Sequence, residues 1–97
     1  MIPQQTVNAI LAGIDEGAAA RLLADLVRFP TVNPPGDEGR LAAHLAEGLE
    51  ALGFSVRAEE VLPGRPNVVA RLRGRLGSPT VLFNTHMDVV APGAGWT

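Results

Sequence analysis

Cysteine is absent from this 97-residue chain, which excludes disulfide frameworks and thiolate metal sites together; a metal held here must take His, Asp or Glu as ligands. A basic patch is also missing. Eight basic and 10 acidic side chains leave a formal net charge of -2, so there is no electrostatic footprint for nucleic acid. The N-terminal "MIPQQTVNAILAGIDEGAAARLL" lacks a basic n-region, and Asp15, Glu16 and Arg21 break its apolar residues. It reads as neither signal peptide nor membrane span, and the cytoplasm is the expected location. Low-complexity tracts, internal repeats and interdomain linkers are absent too. With 46% hydrophobic and 19% charged residues, the composition is that of a soluble globular chain that should fold. At this length it holds one small domain at most and is short for an enzyme.

Val7, Ile10, Leu11 and Ile14 recur at helical spacing, and Leu22, Leu23, Leu26 and Val27 form a second set. Gly13 and Gly17 weaken the join, so the spacing predicts one interrupted helix or two, stopped by Pro30. The proline- and glycine-rich "FPTVNPPGDEG" reads as a loop. Asp37 is the expected N-cap of a helix whose Leu41, Leu45, Leu49 and Leu52 line one face, with Gly53 as its stop. "FSVRAEEVL" and "NVVARLRG", joined through "PGRP", predict a hairpin. "TVLFN", uncharged and rich in β-branched and aromatic residues, predicts a central strand covered on both faces. Helices packed on a mostly central β-sheet give an α/β or α+β class.

Within "TVLFNTHMDVV", His86 and Asp88 stand two positions apart. In an extended segment such side chains share a face, here at the C-terminal end of the expected strand, where open α/β sheets bind ligands. A neutral imidazole ligates zinc, and a ligating histidine commonly gives its other ring N–H to a carboxylate that fixes the tautomer. His-x-Asp can supply ligand and orienter together. On spacing alone a surface ion pair or a capped turn is the more ordinary reading of the pair; a buried-type strand that turns polar at Asn84 and Thr85 favours the site.

"LVRFPTVNPPGDEGRLAAHLAEGLEALGFSV", "NVVARLRG" and "TVLFNTHMDVVAPGAGWT" together resemble the N-terminal part of the zinc-dependent aminoacylase and carboxypeptidase family. Its members include acetylornithine deacetylase, succinyl-diaminopimelate desuccinylase, aminoacylase and glutamate carboxypeptidase. The resemblance runs from about Leu26 to Thr97; "HMDVV" followed by a Pro/Gly loop to Trp96 is its specific part, and "PTVNPP" a second mark. It implies the N-terminal portion of a zinc-exopeptidase-like catalytic domain, with residues 1–97 a fragment of that metal-binding domain and no complete second domain. By the same resemblance His86 is a ligand to one of two Zn2+ ions, Co2+ being an alternative metal, and Asp88 is the carboxylate that orients its ring. It further implies hydrolysis of the amide bond of an N-acyl amino acid or small peptide, closest to the deacetylase and desuccinylase branch, by an enzyme that can be a homodimer. The family's other ligands and its general base have no counterpart in this chain. A catalytic zinc needs about three protein ligands and an open position, so the 97 residues alone are expected neither to hold zinc tightly nor to turn over substrate.

A different class of function is a small non-catalytic α/β binding or interaction module in which His86 and Asp88 are structural; it predicts a compact, cooperative fold. Other polar residues read plainly. His44, within the Leu41–Leu52 helix, is a solvated or boundary histidine. Glu59 and Glu60 form a solvated edge, Arg71, Arg73 and Arg75 an exposed side of the second strand, and Trp96 packs on its loop. Asn33 caps or turns the proline loop and is given no chemistry.

Overall fold

The computed structural model describes residues 1–96; Thr97, the last residue of the resembling segment, lies outside them. Three helices, α1 (Gln4–Ala12), α2 (Glu16–Leu26) and α3 (Gly39–Ala51), precede two strands, β1 (Ser55–Leu62) and β2 (Arg65–Arg71). The class is mixed α/β, as expected.

The N-terminal apolar pattern forms two helices. The chain breaks between Ala12 and Glu16, where Asp15 caps α2 by accepting a 2.9 Å hydrogen bond from the Ala18 N–H. That satisfies one of the donors a helix start leaves free. No residue of α1 or α2 is buried. α2 ends at Leu26, ahead of Pro30, and Phe29 then sets its ring 5.1 Å from that of His44 on α3.

α3 starts differently from the expectation. Its N-cap is Glu38, whose side chain makes no capping bond, and Asp37 stands outside the helix. The cap is supplied from elsewhere: the Gly39 N–H donates to the Gly64 carbonyl at 3.0 Å, tying the helix start to the hairpin turn. At the other end Gly53, at φ +90, closes a Schellman motif in which the Phe54 N–H reaches the Leu49 carbonyl and the Gly53 N–H reaches that of Glu50. β1 and β2 pair antiparallel around Pro63–Gly64, with Gly64 at φ +75 where such a turn needs a residue without a Cβ. α3 lies against both strands. Leu41 and Ala42 are buried there, Leu45 and Leu49 half-buried; Leu52, at the C-cap, is 73% exposed and leaves the apolar stripe.

The expected third strand is not formed. Thr80–Asp88 carries no strand among the described residues, and Val81, Leu82 and Phe83 are largely exposed. β-branched residues favour extended backbone, but a strand exists only by pairing, and the two strands of the hairpin pair only with each other. Among the described residues the sheet is therefore a two-stranded ribbon covered by α3, rather than a central sheet under several helices. Arg73 and Arg75 accordingly lie beyond β2, which ends at Arg71. The Cα radius of gyration is 16.7 Å, against about 13 Å for a compact domain of this size. No helix among the described residues is long and apolar enough to cross a membrane.

Candidate metal-ligand site

In place of sheet pairing, the His86 segment is held by a short parallel bridge to the proline loop. The Val89 N–H donates to the Thr31 carbonyl at 3.0 Å and the Asn33 N–H to the Val89 carbonyl at 2.8 Å. Between them the Thr31 hydroxyl donates to the Met87 carbonyl at 2.8 Å, and Thr31 is buried. These bonds hold Met87, Asp88 and Val89 in register with residues 31–33. A backbone satisfied in this way stays extended without a sheet.

His86 and Asp88 come together as the i, i+2 spacing predicts, although on an irregular extended run and not at the end of a strand. Nδ1 of His86 lies 2.8 Å from the Asp88 backbone carbonyl and 3.1 Å from Oδ1 of its carboxylate. Neither a carbonyl nor a carboxylate oxygen can donate, so Nδ1 carries the hydrogen and Nε2 of the neutral ring keeps the lone pair. The His86 side chain is 80% exposed, which leaves Nε2 open to an incoming electrophile.

The other oxygen of Asp88 is engaged from behind. Asn33 Nδ2 donates to Oδ2 at 2.9 Å, and Arg65 Nη2 stands 3.7 Å from it. Arg65 is itself forked onto Glu38: Nε lies 3.2 and 3.0 Å from the two carboxylate oxygens, and Nη2 lies 2.9 Å from Oε1. Glu38 is buried, and with both its oxygens committed to Arg65 the N-cap residue does not cap. Gly36, at φ +78, passes so close to Arg65 that a Cβ there would fall 2.6 Å from the guanidinium carbon. The loop can only approach this closely with glycine.

Electrostatics follow the contacts. The Asn33 amide holds the Asp88 carboxyl below the ordinary carboxylate range, with the His86 ring acting in the same direction and partial desolvation opposing both. The Arg65 hydrogen bonds hold Glu38 low in the same way, and Glu38 in turn raises Arg65. Both carboxylates are therefore anionic at neutral pH.

Glu38, Arg65, His86 and Asp88 lie along an open cleft of about 640 Å³ whose apolar side includes Leu45 and Leu49 of α3 and Val68 of β2. That volume suits a small organic ligand. As for metal, the donor chemistry of His86 fits one position of a coordination shell. No group of three or more His, Cys, Asp or Glu able to hold an ion gathers among the described residues.

Of the five residues in this network, His86 and Asp88 are the two that the sequence points to. Asn33 and Arg65 carry turn signatures in sequence, and Asp37 carries the cap signature in place of its neighbour Glu38. "PTVNPP" was already a mark of the resemblance, and a polar residue in that loop was the available signal for Asn33. Of the remaining residues, His44 meets Phe29, Glu60 accepts from the Gly64 N–H, and Glu59 pairs with Arg57 on the exposed hairpin. Trp96 donates its indole N–H to the Pro92 carbonyl yet stays exposed.

Comparison with known proteins agrees with the resemblance. The chain is 42% identical over 82 residues to a succinyl-diaminopimelate desuccinylase of Methylobacterium radiotolerans, a match covering 80% of this chain and 20% of the relative. Proteins of the same description from Paracoccus denitrificans (44% over 80 residues; 80% and 20% covered) and Acidiphilium cryptum (46% over 78 residues; 77% and 19%) match similarly. The chain thus spans about a fifth of the length of the curated relatives it matches. No family model matches it. No solved structure matches it. These desuccinylase relatives are consistent with the resemblance to the N-terminal part of the aminoacylase and carboxypeptidase family.

Proposed function

We propose that this chain is the His86-bearing segment of a metal-dependent amidohydrolase that cleaves the amide bond of an N-acyl amino acid, with a succinylated amino acid as the first substrate to test. The observation that carries the reading is the ring of His86: two Asp88 oxygens face Nδ1, and Nε2 is left as a free, exposed donor. A carboxylate behind a ligating imidazole raises its basicity and fixes its aim. The desuccinylase relatives supply the reaction class.

In this reading His86 Nε2 ligates Zn2+, one of two ions in the complete site, with Co2+ able to replace it, and Asp88 orients the ring without touching the metal. When bound, the metal polarises the scissile carbonyl and makes a water more acidic. The chain's own residues do three things. His86 offers one donor, Asp88 with its partners holds that donor still, and the cleft beside Leu45, Leu49 and Val68 gives an apolar wall. The remaining ligands and the general base come from parts of the protein outside these 97 residues, which form part of its catalytic, zinc-exopeptidase-like domain. The 97 residues alone are inactive and retain zinc only weakly. The working enzyme is cytoplasmic and can be a homodimer.

The test uses the complete protein carrying this chain, assayed for amine release from a succinylated amino acid before and after chelation. His86→Ala should abolish turnover, and Asp88→Asn should lower it roughly 10- to 100-fold. Full activity in His86→Ala, or undiminished activity after exhaustive chelation, would overturn the reading.

A further inference from the structure

We infer that Asn33 and the Glu38-anchored Arg65 are positioning residues, gripping Oδ2 of Asp88 from two sides so that Oδ1 stays on the His86 ring. The inference rests on the proposed ligand role of His86 for its functional meaning, but not for its geometry.

A carboxylate on an extended, partly exposed segment rotates freely unless its oxygens are claimed separately. Here they are. Oδ1 meets His86 Nδ1 at 3.1 Å, while Oδ2 receives the Asn33 amide at 2.9 Å and faces Arg65 at 3.7 Å. The two grips come from different parts of the fold. Asn33 is fixed by its backbone bond to Val89, so its side chain and main chain both hold the segment bearing Asp88. Arg65 leaves the hairpin at the first residue of β2 and is pinned by three contacts to Glu38, which is 4% exposed. A forked guanidinium is held in one plane in a way an ammonium is not. Gly36 keeps the space that guanidinium occupies. The arrangement links α3, the hairpin turn and the proline loop to one carboxylate, although none of these residues reaches the open Nε2 of His86. The Asp88 backbone carbonyl already dictates which ring nitrogen bears hydrogen; the grip adds an anionic acceptor in a fixed place.

Nitrogen-15 and proton NMR of the His86 ring in the whole chain, at a pH where the ring is neutral, tests this directly, with His44 as internal comparison. Wild-type His86 is expected to show a protonated Nδ1 whose hydrogen lies downfield of an imidazole N–H bonded to water. Asn33→Asp keeps the shape of the side chain and turns its donor into a second carboxylate. It should reduce the downfield displacement to what the Asp88 backbone carbonyl alone sustains, while the hairpin amides and His44 stay put; a purely packing role for Asn33 predicts no change. Arg65→Lys keeps the charge and loses the fork, and a smaller upfield move is expected. It decides the matter if Asn33→Asp unfolds the chain. Wild-type His86 protonated mainly on Nε2, or a ring signal unmoved in the substituted chains, overturns the inference. Zinc added afterwards tests the ligand role separately: a ring held as described that ignores zinc would keep the grip and sink the metal.

Discussion

Asn33 donates its side-chain amide to the Asp88 carboxylate at 2.9 Å across 55 positions of sequence. The proline loop and the His86 segment are thereby joined by side chains as well as by their short backbone bridge. Since Asp88 also meets the His86 ring, the proline loop is part of the candidate site.

The Glu38–Arg65 pair should make folding sensitive to acid. Glu38 is held below its ordinary value of 4.5 by the Arg65 hydrogen bonds. A carboxyl lowered on folding contributes stability that is complete above the ordinary value and is lost as pH falls through the lowered one. Thermal unfolding should therefore be flat in pH near neutrality and weaken below about 4.5. In Glu38→Gln that part of the acid dependence should shrink. An unchanged acid limb in Glu38→Gln would show that the pair does not contribute.

Gly36→Ala should destabilise the loop by about 1–2 kcal/mol, the cost of a Cβ at positive φ, and by more if Arg65 must also move. The new carbon would meet the guanidinium at 2.6 Å, so the Arg65–Glu38 contact should loosen at the same time. Denaturant melts give the first effect, and the Arg65 Nε–H signal gives the second.

One cap and one core residue make a graded set. Asp15→Ala removes the only side-chain helix cap among the described residues and should cost α2 about 1 kcal/mol. Because no residue of α2 is buried, the hairpin should not notice. Leu41→Ala, at a side chain only 6% exposed between α3 and the strands, should cost about 2–3 kcal/mol and melt α3 and the hairpin together. Residue-resolved hydrogen exchange separates the two responses.

Exposed apolar residues predict association. Val81, Leu82 and Phe83 are 73%, 86% and 89% exposed, and the hairpin ribbon has unpaired edges. Such surfaces recruit other chains. Size-exclusion elution should move to larger species with concentration, and Leu82→Glu with Phe83→Glu should reverse it.

Features that depend on neighbours in sequence were legible beforehand. The α3 stripe from Leu41 to Leu49, the Gly53 stop, the Pro63–Gly64 hairpin and the His86–Asp88 spacing all rest on local periodicity or turn chemistry. What escaped is what distant partners decide. Asp37 looked like a cap because Asp commonly is one, but the Gly64 carbonyl takes the Gly39 N–H instead. "TVLFN" had the composition of a buried strand and found no strand to pair with. Asn33, Glu38 and Arg65 each had an ordinary local reading, and only the fold brings them to one carboxylate. The desuccinylase relatives are the ground for the proposed reaction class, and the geometry of the His86 ring is the ground for its proposed ligand role.

The most direct measurement of the central claim is a zinc titration of the chain followed at the ring nitrogens of His86 and His44. The account predicts a weak, saturable shift centred on Nε2 of His86, with Nδ1 still protonated, His44 unmoved, and no zinc retained after dialysis. Zinc engaging Nδ1, preferring His44, or staying bound at one equivalent would contradict it.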